Sequence, residues 1–163
     1  LNKLSLAIKN KGANKNLHMT NKDNTPIITE QSFTKSKEEV WKAITDANEM
    51  RKWFFAEMSD HKAEVGFTTQ FNVDAGEREF MHLWRITEVV PFEKLVCQWE
   101  YEGYDGVAMV TYELFEENEG CKIRVTATGI ESFPDEIPEF KRESCEGGWK
   151  YFINQRLKEY LEK

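Results

Sequence analysis

The feature that most restricts this chain is a change of hydrophobic period partway along it. From Phe67 to Gly129 apolar and polar residues alternate through five consecutive segments, whereas from about Glu139 to Leu161 the repeat is helical. Alternation with a period of two buries one face of a strand and wets the other. Phe71 and Val73 form one such face, Phe80, His82, Trp84 and Ile86 the next, and Leu95, Cys97, Trp99 and Tyr101 a third. A fourth strand is expected over Val107–Glu116. In the fifth, Cys121, Ile123, Val125 and Ala127 oppose Lys122, Arg124, Thr126 and Thr128. The breaks Asp74–Glu77, Pro91–Lys94, Gly103–Gly106 and Glu117–Gly120 are short and rich in turn formers. Strands so joined make an antiparallel meander.

Such a sheet needs a cover for its apolar face. The long amphipathic segment at the end supplies one, with Cys145, Trp149, Phe152, Ile153, Leu157, Tyr160 and Leu161 on a broad apolar face. Gly147 and Gly148 within it cost roughly 1 kcal/mol each relative to Ala. They are expected where the sheet or a bound molecule comes close to the backbone. Upstream, Pro26–Thr34 reads as a first strand, and Ser36-Lys37-Glu38-Glu39 fits a capping box. Val40, Trp41 and Ile44 then form the stripe of a short helix. Asp46–Asn48 interrupts it, and Glu49–Phe54 adds a second short helix carrying Met50, Trp53 and Phe54. The expected class is α+β: a six-stranded antiparallel sheet wrapped around the C-terminal helix, the two short helices plugging one end. A twisted sheet packs poorly on a straight rod, so an internal cavity is a natural consequence.

Charge divides the chain. Through Thr25 there are five lysines against one aspartate and no aromatic residue. The rest carries 17 basic and 28 acidic side chains, net −11, and all 21 aromatics. Residues 1–25 are therefore expected to be a flexible basic head and 26–163 the folded domain. Met19, just before the change of character, reads as the natural start, with Leu1–His18 added upstream. A net charge of −7 over 163 residues argues against a nucleic-acid partner. No apolar run is long enough to span a membrane. Three cysteines, Cys97, Cys121 and Cys145, show neither disulfide nor zinc spacing, which fits a reducing, cytoplasmic setting.

The order of elements resembles the helix-grip fold of the START-like, birch-pollen-allergen-like superfamily. Three stretches resemble one branch of it, the family related to the activator of the heat-shock chaperone ATPase. They are Thr34–Asp46 (TKSKEEVWKAITD) with Trp53-Phe54, Val89–Val96 (VVPFEKLV) leading to Trp99, and Gly148-Trp149 followed by Leu157–Glu162 (LKEYLE). The resemblance covers about residues 27–163. It implies an apolar ligand cavity between sheet and C-terminal helix, or co-chaperone contact with a heat-shock ATPase in a stress response. The superfamily also contains cyclase- and hydrolase-like enzymes. Where relatives carry a small residue this chain has Trp84, which is expected to fill part of the cavity.

No catalytic set emerges from the residues. There is no G-x-S-x-G elbow, no H-E-x-x-H and no phosphate-binding glycine loop. Of the histidines His18, His61 and His82, only His82 falls on an expected inner face. It is first a packed residue and alternatively a ligand contact; as a general base it lacks an identifiable orienting partner. Cys145 reads as an inert packed thiol. Phe71, Trp84, Trp99, Trp149 and Phe152, with Met109, are plain core one by one but together suit a mostly apolar small-molecule pocket. Arg156, within the apolar sector of the last helix, either snorkels to an acid or pairs with a ligand carboxylate. These seven, with His82 and Cys145, are the nine candidate cavity residues. Neither metal nor cofactor is expected, and a monomer or weak dimer is.

Overall fold

The computed structural model describes residues 22–163. The Met19 start and most of the basic head lie outside the described residues. β1 (Ile27–Phe33) is followed by α1 (Lys37–Thr45) and α2 (Ala47–Trp53). The meander then runs through β2 (Thr68–Asp74), β3 (Glu79–Val90), β4 (Lys94–Tyr101), β5 (Ala108–Glu117) and β6 (Gly120–Thr128). Two short 3-10 turns, Ile130–Ser132 and Pro138–Phe140, lead into the terminal helix α3.

The six strands form one antiparallel sheet in the order β1-β6-β5-β4-β3-β2. The meander accounts for four of the five neighbouring pairs, and β1 crosses over to close the order beside β6, with Ile27 opposite Ala127 and Phe33 opposite Cys121. Gly120 opens β6 where β1 ends; a Cβ there would collide with the Phe33 carbonyl. The start of α1 follows from its sequence. Ser36 Oγ accepts the Glu39 N–H at 3.2 Å while the Glu39 carboxylate accepts the Ser36 N–H at 2.9 Å. Asp46 ends α1 and caps α2 through Glu49 N–H at 3.1 Å, so one residue serves both helices.

The terminal helix differs from the expected regular rod. It begins at Arg142, three residues later than the helical period suggested, because Pro138–Phe140 is taken up in a 3-10 turn. After Arg142–Trp149 the backbone is π-helical over Lys150–Leu157, then α-helical again over Lys158–Leu161. π-Helix is rare and is set by hydrogen bonding one residue further along the chain, which side-chain periodicity does not encode. Ile153 and Leu157 are fully buried against the sheet, and Trp149 and Leu161 nearly so.

The core lies between the inner sheet face and α3. Cys97, Val110, Ile123 and Val125 line its centre, and α1 and α2 close one end with Val40, Ile44, Met50 and Trp53. Trp53 Nε1 donates to the Ala43 carbonyl at 2.8 Å, tying the short helices together. At the opposite end, the last residues before β1 are engaged with the loop ahead of α3. Lys22 Nζ lies 3.0 Å from the Glu131 carbonyl and 3.1 Å from Asp135, and Arg142 donates to the Thr25 carbonyl at 2.6 Å.

Candidate functional site

Between β2–β5 and the first turns of α3 lies a cavity of about 400 Å³. That size falls in the range of small-molecule sites. Its wall is built from Phe80 and His82 on β3, Trp99 and Tyr101 on β4, Ala108 and Val110 on β5, and Cys145, Gly148, Trp149 and Phe152 on α3. Phe54 and Phe55, just after α2, enter from one end, and Phe133 and Phe140 from the loop before α3. Ala75 at the β2–β3 turn and Ser144 on α3 are exposed lining residues, and they mark the mouth.

Of the nine candidates named from the sequence, His82, Trp99, Cys145, Trp149 and Phe152 line this cavity. Phe71 and Trp84 are buried just behind it. Phe71 stacks on His82 at 5.0 Å, and Trp84 stacks on Trp99 at 4.6 Å, so both back the wall without facing the space. Trp84 thus occupies volume beside the cavity, as its size suggested.

Met109 is a correction. An inward Met109 is one residue out of phase with the strand, whose inner face is Ala108, Val110, Tyr112 and Leu114. Met109 sits on the opposite face, paired in register with Gln98 and Thr128. Both phases of that segment begin with apolar residues, so local pattern alone leaves the parity open. Arg156 is the other departure: its guanidinium reaches neither acid nor cavity but donates to the Lys52 carbonyl at the end of α2, at 2.8 Å. The glycine pair also differs from expectation. A Cβ on Gly147 or Gly148 would meet nothing within 4 Å, so the sheet does not press on either. Gly147 is exposed, whereas Gly148 borders the cavity.

Sequence reasoning missed Phe54 and Phe55 as site residues. Phe54 lies centrally, 4.8 Å from Phe152, 5.8 Å from Trp84 and 6.0 Å from Trp149. A signal was present: three consecutive aromatics, Trp53-Phe54-Phe55, cannot share one face of a helix, so the chain must turn there to bury them.

The polar inventory is small. His82 Nδ1 lies 3.0 Å from the Phe80 carbonyl. Burial lowers its pKa to about 4, so the ring is neutral at pH 7. Burial also pushes the Tyr101 phenol well above its usual range, and raises the Cys145 thiol to about 11. A thiol so protonated is a poor nucleophile, in keeping with a packing role. At the rim, Glu139 is paired with Arg78 at 3.1 Å, and Ser144 donates to the Pro138 carbonyl. Trp84 Nε1, Trp99 Nε1 and both ring nitrogens of His61 are enclosed without a partner. His61 lies outside the cavity, edge-on to Trp84 at 6.3 Å. Among the described residues no cluster of His, Cys, Asp or Glu is arranged to hold a metal. Nor is any helix there long and apolar enough to cross a membrane.

A curved antiparallel sheet closed by a C-terminal helix, with two short helices after the first strand, is a helix-grip domain of the START-like type. Residues 35–162 match the family described as activator of Hsp90 ATPase homolog 1-like protein, and the chain belongs to that family. Solved structures of similar fold include protein CV1439 of Chromobacterium violaceum, with TM-score 0.71 and 22% identity over 85% of this chain and 97% of that one. The Aha1 dimer of Colwellia psychrerythraea superposes with TM-score 0.65 and 19% identity, over 85% and 96%. DynU16, from the dynemicin biosynthetic locus, gives 0.68 and 24%, over 87% of this chain and 48% of that one. No curated protein matches the sequence. At these identities the likenesses speak for the fold alone.

Proposed function

We propose that the protein is a non-catalytic binder that holds a small apolar molecule in the cavity between sheet and α3, within a single domain spanning residues 26–163. The observation that carries this is a well-shaped space of about 400 Å³ lined almost wholly by aromatic and aliphatic side chains. Filling such a space would cover apolar wall that is otherwise without partner atoms. The groups that would have to act as nucleophile or base are unsuited to it: Cys145 is held protonated, and among the described residues His82 has no acid to orient it. The three cysteines are free, consistent with a reducing cytoplasmic setting.

Ligand-observed NMR with a panel of aromatic and alicyclic compounds tests the proposal. Saturation transfer is expected in the wild type and lost in Gly148→Leu, which stays folded because a side chain there enters open space. A folded wild type that gives no signal with any compound refutes it. The second reading, contact with a heat-shock ATPase, is supported by the family's description and by the acidic body. Co-purification of that ATPase at low salt, lost at high salt, would favour it.

A further inference from the structure

The cavity is hydrophobic but not featureless, and His82, set deep in its wall on β3, has a defined hydrogen-bonding sense. A carbonyl oxygen can only accept, so the 3.0 Å contact with Phe80 places the His82 proton on Nδ1. Nε2 is then left with a lone pair and no hydrogen. The ring cannot easily turn away. Phe71 stacks flat against it at 5.0 Å with an interplanar angle of 13°, and Tyr101 meets it edge-on at 4.8 Å. These neighbours follow from sheet register, Phe71 and Tyr101 being the cross-strand partners of His82 on either side. Nε2 has no hydrogen-bond partner among the described residues. Yet it is not one of the enclosed, unpartnered nitrogens, which belong to His61, Trp84 and Trp99. It therefore keeps some exposed surface, and the residue that carries it lines the cavity.

Charge in the wall points the same way. Among the described residues no lysine or arginine lines the cavity, and the one acid, Glu139, is held at the rim by Arg78. A carboxylate or phosphate entering would lose its water without gaining a counter-ion, at a cost of several kcal/mol. An uncharged molecule avoids that cost.

Resting on the ligand-holding function proposed above, we infer that the cavity selects uncharged, largely aromatic ligands bearing a hydrogen-bond donor, and that His82 Nε2 is the acceptor that reads the donor. Phenols and alcohols on an apolar body fit; their carboxylate counterparts do not. Burial of the imidazole, which keeps it neutral, supports the assignment.

Three probes of one shape separate the possibilities: naphthalene, 2-naphthol and 2-naphthoate, titrated calorimetrically at pH 7 into wild type and His82→Phe. In the wild type 2-naphthol is expected to bind about tenfold more tightly than naphthalene, the worth of one good hydrogen bond to a buried acceptor, and 2-naphthoate not at all. His82→Phe should abolish the advantage of 2-naphthol and leave naphthalene unchanged. Equal binding of naphthalene and 2-naphthol by the wild type, tightest binding of 2-naphthoate, or an advantage that survives in His82→Phe each overturns the inference while leaving the cavity function standing. A folded wild type that binds none of the three overturns both. Should His82→Phe fail to fold, the imidazole ¹⁵N spectrum of the wild type decides. The Nε2 resonance must move on adding 2-naphthol and stay in place with naphthalene.

Discussion

Acidification from pH 7 to pH 5 should cost this protein about half of an ordinary domain's stability, through two imidazoles. His61 and His82 are each only 5% exposed. Burial lowers both from the ordinary 6.5 to about 4, with Asp60 partly offsetting the effect at His61. Because the folded value is the lower one, the unfolded chain binds more protons between pH 6.5 and 4, and stability falls as pH falls. The contribution is present in full above about 6.5 and is lost progressively down through about 4. At pH 5 the linkage relation gives about 2 kcal/mol lost per histidine relative to pH 7, hence ~4 kcal/mol for the pair. Marginal domains have about 5–15 kcal/mol to lose. Three exposed carboxylates contribute below this window. Hydrogen bonds from Thr25 to Asp23, from Lys122 to Glu30 and from the Ser36 backbone to Glu39 hold their pKa values below the usual range, so they titrate at lower pH. The assay is urea unfolding at pH 7, 6 and 5 for wild type, His61→Leu and His82→Phe. Each variant should lose about half of the pH dependence. His61→Leu should hold or gain stability at pH 7, since it removes two enclosed nitrogens without partners. A double variant that declines with acid as steeply as the wild type would refute the reasoning.

Two further outcomes bear on the helices. Gly147→Ala should raise stability by about 1 kcal/mol in a urea titration, because the position is exposed, helical and free of contacts, and should leave compound binding unchanged. Ser36→Ala should lower stability by about 1 kcal/mol through loss of the α1 cap; a difference within error would mean that packing of Val40 and Ile44 alone sets that helix start.

Much of the fold is legible in the linear order of residues. Alternation along β3, β4 and β6 identifies their buried faces, since side-chain direction in a strand depends only on parity. The capping box places the start of α1, since capping is an interaction between neighbours in sequence, whereas α2 starts at Ala47, two residues before the expected Glu49, because Asp46 caps it. The site is legible where a side chain lies on one of those faces or on the apolar face of α3, as with His82, Trp99, Cys145, Trp149 and Phe152.

What the tertiary structure alone decides is set by pairing across distance. In β5 both parities are apolar at the start. The choice of Ala108 and Val110 over Met109 comes from register, with Val110 opposite Cys97 on one side and Ala127 on the other. Arg156 finds its acceptor 104 residues away, on the last turn of α2, which no local pattern names. The π-helical turns of α3 and the cavity are likewise invisible in periodicity. Period records which side of an element is apolar, whereas a cavity is the volume left when two apolar surfaces of different curvature meet. That difference in shape is a property of the assembled sheet and helix, and of no segment by itself.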